Sequence, residues 1–313
     1  GYCLATVLSR LTWGRYAYLI FTILMALLVP FQLSVNANNV PTEPTAWIIG
    51  YLLSTIGSTS LLLCSVAPLL QYWYGKLKPD NNPYLLYAAS NLGSFLGILV
   101  YPLFVESRLG LDNQFELWRV CYFILLFLLS CGTLITFKDD DFSNKLDEKA
   151  ITDDIIKPKF SDRLRWLFLA AIPVSLSLSL TTYITQDLGS FPLLWVLPLG
   201  LYLLSYIKGF SELNQRTLLV SPYKYLLIGL VVLGFNSFLP IPHQIKFLLS
   251  IILFYQLALA IHNHLYNYRP HTSYLTQFYL FTALGGVCGG LINAIIAPNA
   301  YKFTIEYAIF LVL

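Results

Sequence analysis

The chain has 313 residues, of which 57% are hydrophobic and only 11% are charged, and its formal net charge is +3. Soluble domains carry about 25% charged residues, so this composition excludes a soluble protein that must cover its surface with charge. No stretch resembles a basic nucleic-acid patch, which predicts no nucleic-acid partner. The five cysteines stand singly in apolar runs, a pattern that predicts neither a disulfide framework nor a metal site.

Apolar runs long enough to cross a bilayer, about 20 residues each, recur along the chain. They predict an all-α, polytopic transmembrane helical bundle with about ten spans. The opening GYCLATVLSRL is typical of the tail of a helix that began earlier, and the last run is typical of a truncated helix. The predicted spans are residues 16–35, 46–74, 83–105, 118–137, 165–186, 188–208, 222–240, 244–268, 273–298 and 301–313.

Residues 138–165 form the single strongly polar segment of the sequence, and they contain half of its acids. Mixed charge of this kind is typical of a solvated linker, although a site for phosphate or a lipid headgroup is an alternative. The linker divides the chain into a first helical half, residues 1–137, and a second half, residues 166–313.

Lysine and arginine predict the orientation, because cytoplasmic loops of membrane proteins are enriched in them. If the amino end is cytoplasmic, fifteen of the nineteen fall on the cytoplasmic side, including seven in the linker. Four fall on the opposite side: Arg108, Arg119, Lys246 and Lys302. The amino end and the linker 138–165 are therefore predicted to be cytoplasmic in a multi-pass protein.

The segment LGGVCGGL contains two interleaved GxxxG pairs, formed by Gly285, Gly286, Gly289 and Gly290. Glycine at this spacing lets two helix backbones approach closely in a membrane. The segment lacks the strand–turn–helix context of a dinucleotide-binding loop. These four glycines are therefore predicted to pack helices.

Polar side chains at membrane depth are costly and usually face a bundle interior or a cavity. They are the best functional candidates here, because no nucleophile–base arrangement, carboxylate pair or phosphate-binding loop is present. No cofactor is implied. The predicted cavity-lining residues are Tyr87, Ser90, Asn91, Thr182, Asp187, His262, Gln277 and Asn293.

Several stretches resemble the membrane region of bacterial proteins that fuse a transporter-like domain to a spermidine-synthase-like domain. The most specific are YAASNLGS and PLLWVLPLGLYLL, which lie within residues 83–111 and 181–206. Further similarity covers residues 1–11, 61–74 and 268–298. The resemblance implies a bacterial inner-membrane location and a six-plus-six helix layout of the major-facilitator type, with further helices before Gly1.

The sequence departs from the family pattern at three positions. Family members have His where Tyr183 stands and acids where His264 and Gln277 stand, which argues against proton-coupled transport by this chain. The aminopropyltransferase-like domain would follow the last helix and is absent from these residues, so no enzyme activity is predicted.

Two functions follow as hypotheses. The first is a transporter-like bundle that moves a small solute by rocking one half against the other. The second is a non-transporting accessory subunit that packs against other membrane subunits. Both have the lipid bilayer as a partner, and the sequence names neither a substrate nor a coupling ion.

Overall fold

A computed structural model describes residues 1–11, 13–27, 44–78, 83–137, 157–187, 195–211 and 242–297, and helices are the regular elements within these ranges. The first part contains α1 (Tyr2–Leu8), α2 (Gly14–Leu27), α3 (Pro44–Leu77), α4 (Tyr84–Val100) and α5 (Leu111–Phe137). The second contains α6 (Phe160–Asp187), α7 (Val196–Gly209), α8 (His243–Asn267) and α9 (Leu275–Leu291). These ranges contain no strand.

Six of these helices are long and apolar enough to cross a bilayer: α3, α4, α5, α6, α8 and α9. Large apolar side chains such as those of Leu53, Phe127 and Val287 are exposed on them, as suits helices in contact with lipid. The chain is therefore an integral, all-α membrane protein with a multi-pass helical bundle.

The predicted number of spans, ten or twelve, is not confirmed. Two of the remaining predicted spans, 16–35 and 188–208, overlap the shorter apolar helices α2 and α7. The other two, 222–240 and 301–313, lie outside the described residues.

Proline and aspartate account for several helix boundaries. α6 begins two residues after Pro158, and the Asp162 carboxylate accepts a hydrogen bond from the Lys159 backbone N–H at 2.8 Å. A carboxylate in the first turn also complements the helix dipole. This start lies inside the predicted linker, 138–165, whose residues 138–156 lie outside the described ranges.

α4 and α9 both end in a π-helical turn, at Tyr101–Val105 and Ile292–Ile296. In α4 the turn contains Pro102, which has no backbone N–H to donate, and the Glu106 N–H bonds the Tyr101 carbonyl at 2.9 Å. A π turn absorbs such a break without ending the helix.

The helices form two compact units. The first unit contains α1, α2, α3 and α5, with α2 packed on α5 and α1 on α3. Its core is apolar and includes Leu62, Leu69 and Leu126, with Tyr18 edge-on to Trp73 at 5.5 Å between ring centroids.

The second unit contains α4 and α6 to α9. α6 packs along α9 and also contacts α7 and α8, while α4 lies on α7. Leu176 and Leu180 of α6 share a core with Phe254 and Leu257 of α8. This unit includes α4 although the charged linker separates α4 from its partners in sequence.

Candidate functional site

A histidine at the α7–α8 contact is the candidate site of the second unit. His262 is fully buried, and its Nδ1 lies 2.8 Å from the Ser205 hydroxyl of α7. Its Nε2 is also buried and has no hydrogen-bond partner among the described residues. A polar atom left without a partner at such a depth costs free energy and indicates a role beyond packing.

The backbone brings α7 unusually close to this histidine. A Cβ on Gly209 would lie 2.9 Å from the His262 Cβ, which is shorter than van der Waals contact. Glycine at position 209 therefore permits the approach, and it also ends α7.

Aromatic rings surround His262. Tyr206 stacks on its imidazole at 3.6 Å between centroids, and Tyr202 meets the same ring edge-on at 5.3 Å. Tyr87 of α4 contacts Tyr206 at 5.5 Å and stacks on Tyr279 of α9 at 4.8 Å. We call these five residues the aromatic cluster.

The aromatic cluster lies toward one end of the unit. His262 precedes the end of α8 at Asn267 by five residues, or about 8 Å at 1.5 Å per residue. By the charge pattern this end is the predicted cytoplasmic one. The site is therefore predicted to lie nearer the cytoplasmic surface than the bilayer centre.

Two long-range hydrogen bonds connect α6 and α4 to the α8–α9 connection at this end of the unit. The Trp166 indole N–H of α6 donates to the Tyr268 carbonyl at 2.8 Å, and the Tyr84 hydroxyl of α4 donates to the Pro270 carbonyl at 2.9 Å. Both carbonyls belong to the connection between α8 and α9. The bonds hold α4, α6, α8 and α9 together beside the aromatic cluster.

The α6–α9 contact contains the glycine motif. A Cβ on Gly285 would collide with the Leu167 carbonyl oxygen, and one on Gly289 would lie 2.5 Å from the Ala171 carbonyl oxygen. The other two glycines differ: Gly286 has ordinary clearance, and a Cβ on Gly290 would meet nothing within 4 Å. Gly285 and Gly289 are therefore the two glycines that allow the backbones of α6 and α9 to approach closely.

Polar bonds run along the same contact. The Ser175 hydroxyl donates to the Gly289 carbonyl at 3.3 Å, and the Ser179 hydroxyl donates to the Asn293 Oδ1 at 2.6 Å. The Asn293 amide nitrogen in turn donates to the Gly289 carbonyl at 3.0 Å. Asn293, a predicted cavity residue, thus takes part in a helix–helix hydrogen-bond network.

The structure brings Tyr87 and His262 into one cluster and places the other predicted cavity residues differently. Ser90 is exposed, and the half-buried Asn91 donates to the carbonyl of Tyr87 at 2.9 Å. Thr182 donates to the carbonyl of Leu178, in its own helix, at 3.2 Å.

Gln277 and Asp187 are the last two predicted cavity residues. The buried Gln277 Oε1 has no partner among the described residues. The side chain of Asp187 lies outside the described part of the chain.

Ser205, Tyr206, Tyr202 and Tyr279 were not predicted from the sequence. A signal was available, because Tyr202, Ser205, Tyr206 and Gly209 follow one another at spacings of three, one and three residues. Residues three and four apart share one face of a helix, so a small-and-aromatic face could have been read from α7.

The described ranges contain no group of three or more His, Cys, Asp or Glu side chains that could hold a metal ion. Comparison with known proteins gives no relative: no family model, curated protein or solved structure matches the chain. The arrangement itself can offer hydrogen bonds from a buried imidazole and the faces and hydroxyls of several tyrosines.

Proposed function

We propose that the protein is a transporter-like membrane bundle, and that the His262 site binds a small solute during transport. The observation that supports this proposal is the fully buried imidazole that bonds Ser205 through Nδ1 and has an unpartnered Nε2 among the described residues. Polar groups kept inside a membrane bundle usually mark a substrate or ion path. The proposal includes the family relationship that the sequence resemblance implies.

The solute class that this site suits best is an organic amine. The Tyr206 ring lies against the His262 imidazole at 3.6 Å between centroids, and Tyr202 meets the same imidazole at 5.3 Å. Aromatic faces attract cations through their quadrupoles, and a neutral imidazole nitrogen accepts a hydrogen bond from an ammonium group. A polyamine is the first solute to test, because the proteins that the chain resembles carry a spermidine-synthase-like domain.

The test is uptake of labelled spermidine by proteoliposomes that contain the purified chain. We expect uptake above empty liposomes, and about a tenfold loss in His262→Leu, which corresponds to about 1.4 kcal/mol of binding free energy. The control is Thr282→Val, because Thr282 is a buried hydroxyl of α9 that bonds the Tyr279 carbonyl of its own helix. It should retain uptake.

Equal uptake by the His262→Leu and wild-type proteins would reject the site but not transport. Absence of uptake for spermidine and for a panel of other amines would reject the transport proposal itself. Folding of each variant is checked by gel filtration in detergent before reconstitution.

The alternative, an accessory subunit in a larger membrane complex, is favoured by one observation on α4. Gly93 and Gly97 form a GxxxG pair, and a Cβ on either would meet nothing within 4 Å in the described structure. Such a face allows close packing of another helix. Site-specific cross-linking from Gly97→Cys in native membranes, with Gly132→Cys of α5 as the control, tests for a second chain there.

A further inference from the structure

Three arginines gather where α6 begins and α8 connects to α9. Arg163 and Arg165 lie in the first turns of α6, and Arg269 lies in the connection. The Trp166–Tyr268 hydrogen bond joins these two parts of the chain at 2.8 Å. The arginines therefore lie at one end of the second unit, which the charge pattern predicts to be cytoplasmic.

The three guanidinium groups lie over aromatic rings. Arg165 lies 4.3 Å from the ring centroid of Tyr268, and Arg269 lies 3.7 Å from that of Tyr266. Arg163 is 6.0 Å from the ring of Phe281 in α9. Arg269 also donates from Nη1 to the Tyr266 carbonyl at 2.9 Å. A planar guanidinium on an aromatic face keeps its remaining N–H groups available for hydrogen bonds to an anion.

No described carboxylate neutralises these arginines. The ion pair within the described ranges is Arg119–Glu116, in the first unit. Asp162 is the nearest acid in sequence, and its carboxylate accepts the Lys159 backbone N–H. The buried Nε of Arg163 has no hydrogen-bond partner in the described structure, so one donor of this group is unsatisfied.

We propose that Arg163, Arg165 and Arg269 form a basic surface that binds the phosphates of anionic membrane phospholipids. Arginine binds phosphate through paired N–H donors, and basic sites between transmembrane helices on the cytoplasmic side bind anionic lipid headgroups. Tyrosine and tryptophan at the same level are typical of the membrane–water interface. Lys157 and Lys159, just before α6, add positive charge on the same side.

The test measures lipid binding to the full chain in detergent, by native mass spectrometry and by the shift in melting temperature. The added lipids are phosphatidylglycerol and, as the zwitterionic control, phosphatidylcholine. We expect phosphatidylglycerol to bind and stabilise the protein and phosphatidylcholine to do neither. Inorganic phosphate at equal concentration should give no shift, because the lipid tails also contribute to binding.

The variant R163Q/R165Q/R269Q should bind phosphatidylglycerol about a hundredfold more weakly, at about fivefold per arginine near a membrane surface. The control R10Q/R108Q/K246Q removes the same charge from scattered positions and should bind as the wild type does. Because Arg269 also packs on Tyr266, R165Q alone is the second variant. Arg165 is exposed, so R165Q should fold and bind about fivefold more weakly.

Several results would overturn the proposal. The first is that both glutamine variants bind phosphatidylglycerol as tightly as the wild type does. The second is that the control R10Q/R108Q/K246Q loses as much binding as R163Q/R165Q/R269Q. The third is that inorganic phosphate raises the melting temperature as much as phosphatidylglycerol does. Lipid binding that occurs only after Asp153→Asn and Asp154→Asn would also overturn it and assign the arginines to the acidic linker instead.

Discussion

The polar side chains inside the first unit make different hydrogen bonds from those inside the second unit. In the first unit, hydroxyls such as Thr22, Thr59 and Ser130 donate to carbonyls of their own helices, around an apolar core. In the second unit, polar side chains bond between helices, as in Ser205–His262 and Ser179–Asn293. A hydroxyl bonded within its own helix adds little specificity, whereas a bond between helices fixes their register.

This difference matters for function in a bilayer. Lipid offers no hydrophobic drive for one helix to prefer another, so packing and interhelical hydrogen bonds decide the arrangement. Buried side-chain atoms without a described partner occur in both units, at the Tyr122 hydroxyl and at His262 Nε2. The second unit differs in its hydrogen bonds between helices, Ser205–His262 and Ser179–Asn293. We therefore expect a binding site in the second unit, and mutation can test the contrast.

The largest expected effect is at the α6–α9 contact. Gly289→Leu places side-chain atoms against the Ala171 carbonyl, and we expect a loss of about 3 kcal/mol or more in unfolding free energy, at the upper end for overpacking. Thermal unfolding in detergent measures it. Gly290→Leu is the matched control, since a Cβ there meets nothing within 4 Å. Equal losses in both variants would contradict the close-contact interpretation.

Ser205→Ala should have the next largest effect. It removes a hydroxyl that lies 2.8 Å from His262 Nδ1 and donates to the Tyr202 carbonyl of its own helix at 2.6 Å. Both ring nitrogens then lack a partner among the described residues, which costs about 1–3 kcal/mol for a buried polar atom. Ser130→Ala in the first unit removes a hydroxyl bonded to the Leu126 carbonyl of its own helix and should cost less than about 0.5 kcal/mol. Chemical unfolding of both variants measures the difference; equal effects would remove the contrast between the units.

Tyr84→Phe deletes the hydroxyl that donates to the Pro270 carbonyl while keeping the ring in place. We expect a loss of about 1 kcal/mol, the usual net value of one hydrogen bond. Amide hydrogen exchange should show faster opening of the α8–α9 connection in this variant. Tyr101→Phe, on the exposed end of the same helix, serves as the control, and an equal change in exchange there would count against the role of Tyr84.

The smallest expected effect is the coupling between Ser179 and Asn293. A double-mutant cycle with Ser179→Ala and Asn293→Ala should give about 0.6 kcal/mol, the average for interhelical hydrogen bonds in a membrane protein. The measurement is the unfolding free energy of the two single variants and the double variant. A coupling of zero would mean that the 2.6 Å contact contributes nothing to the α6–α9 register.

The sequence by itself determined that the chain is a helical membrane protein. Long apolar runs cannot fold in water at this charge content, and a bilayer leaves helices as the way to satisfy their backbones. It also predicted His262 and Asn293 as polar residues within apolar runs, because that inference needs only hydropathy. It did not separate Gly285 and Gly289 from Gly286 and Gly290, since all four share the same spacing.

Only the tertiary structure decided which polar residues meet. Ser205 and His262 are 57 residues apart, and Tyr87 reaches Tyr206 and Tyr279 from the other side of the charged linker. Hydropathy indicates whether a residue lies within an apolar run, but it does not indicate which other helix that run packs against. That choice depends on side-chain packing and on hydrogen bonds between helices, which are properties of the folded bundle.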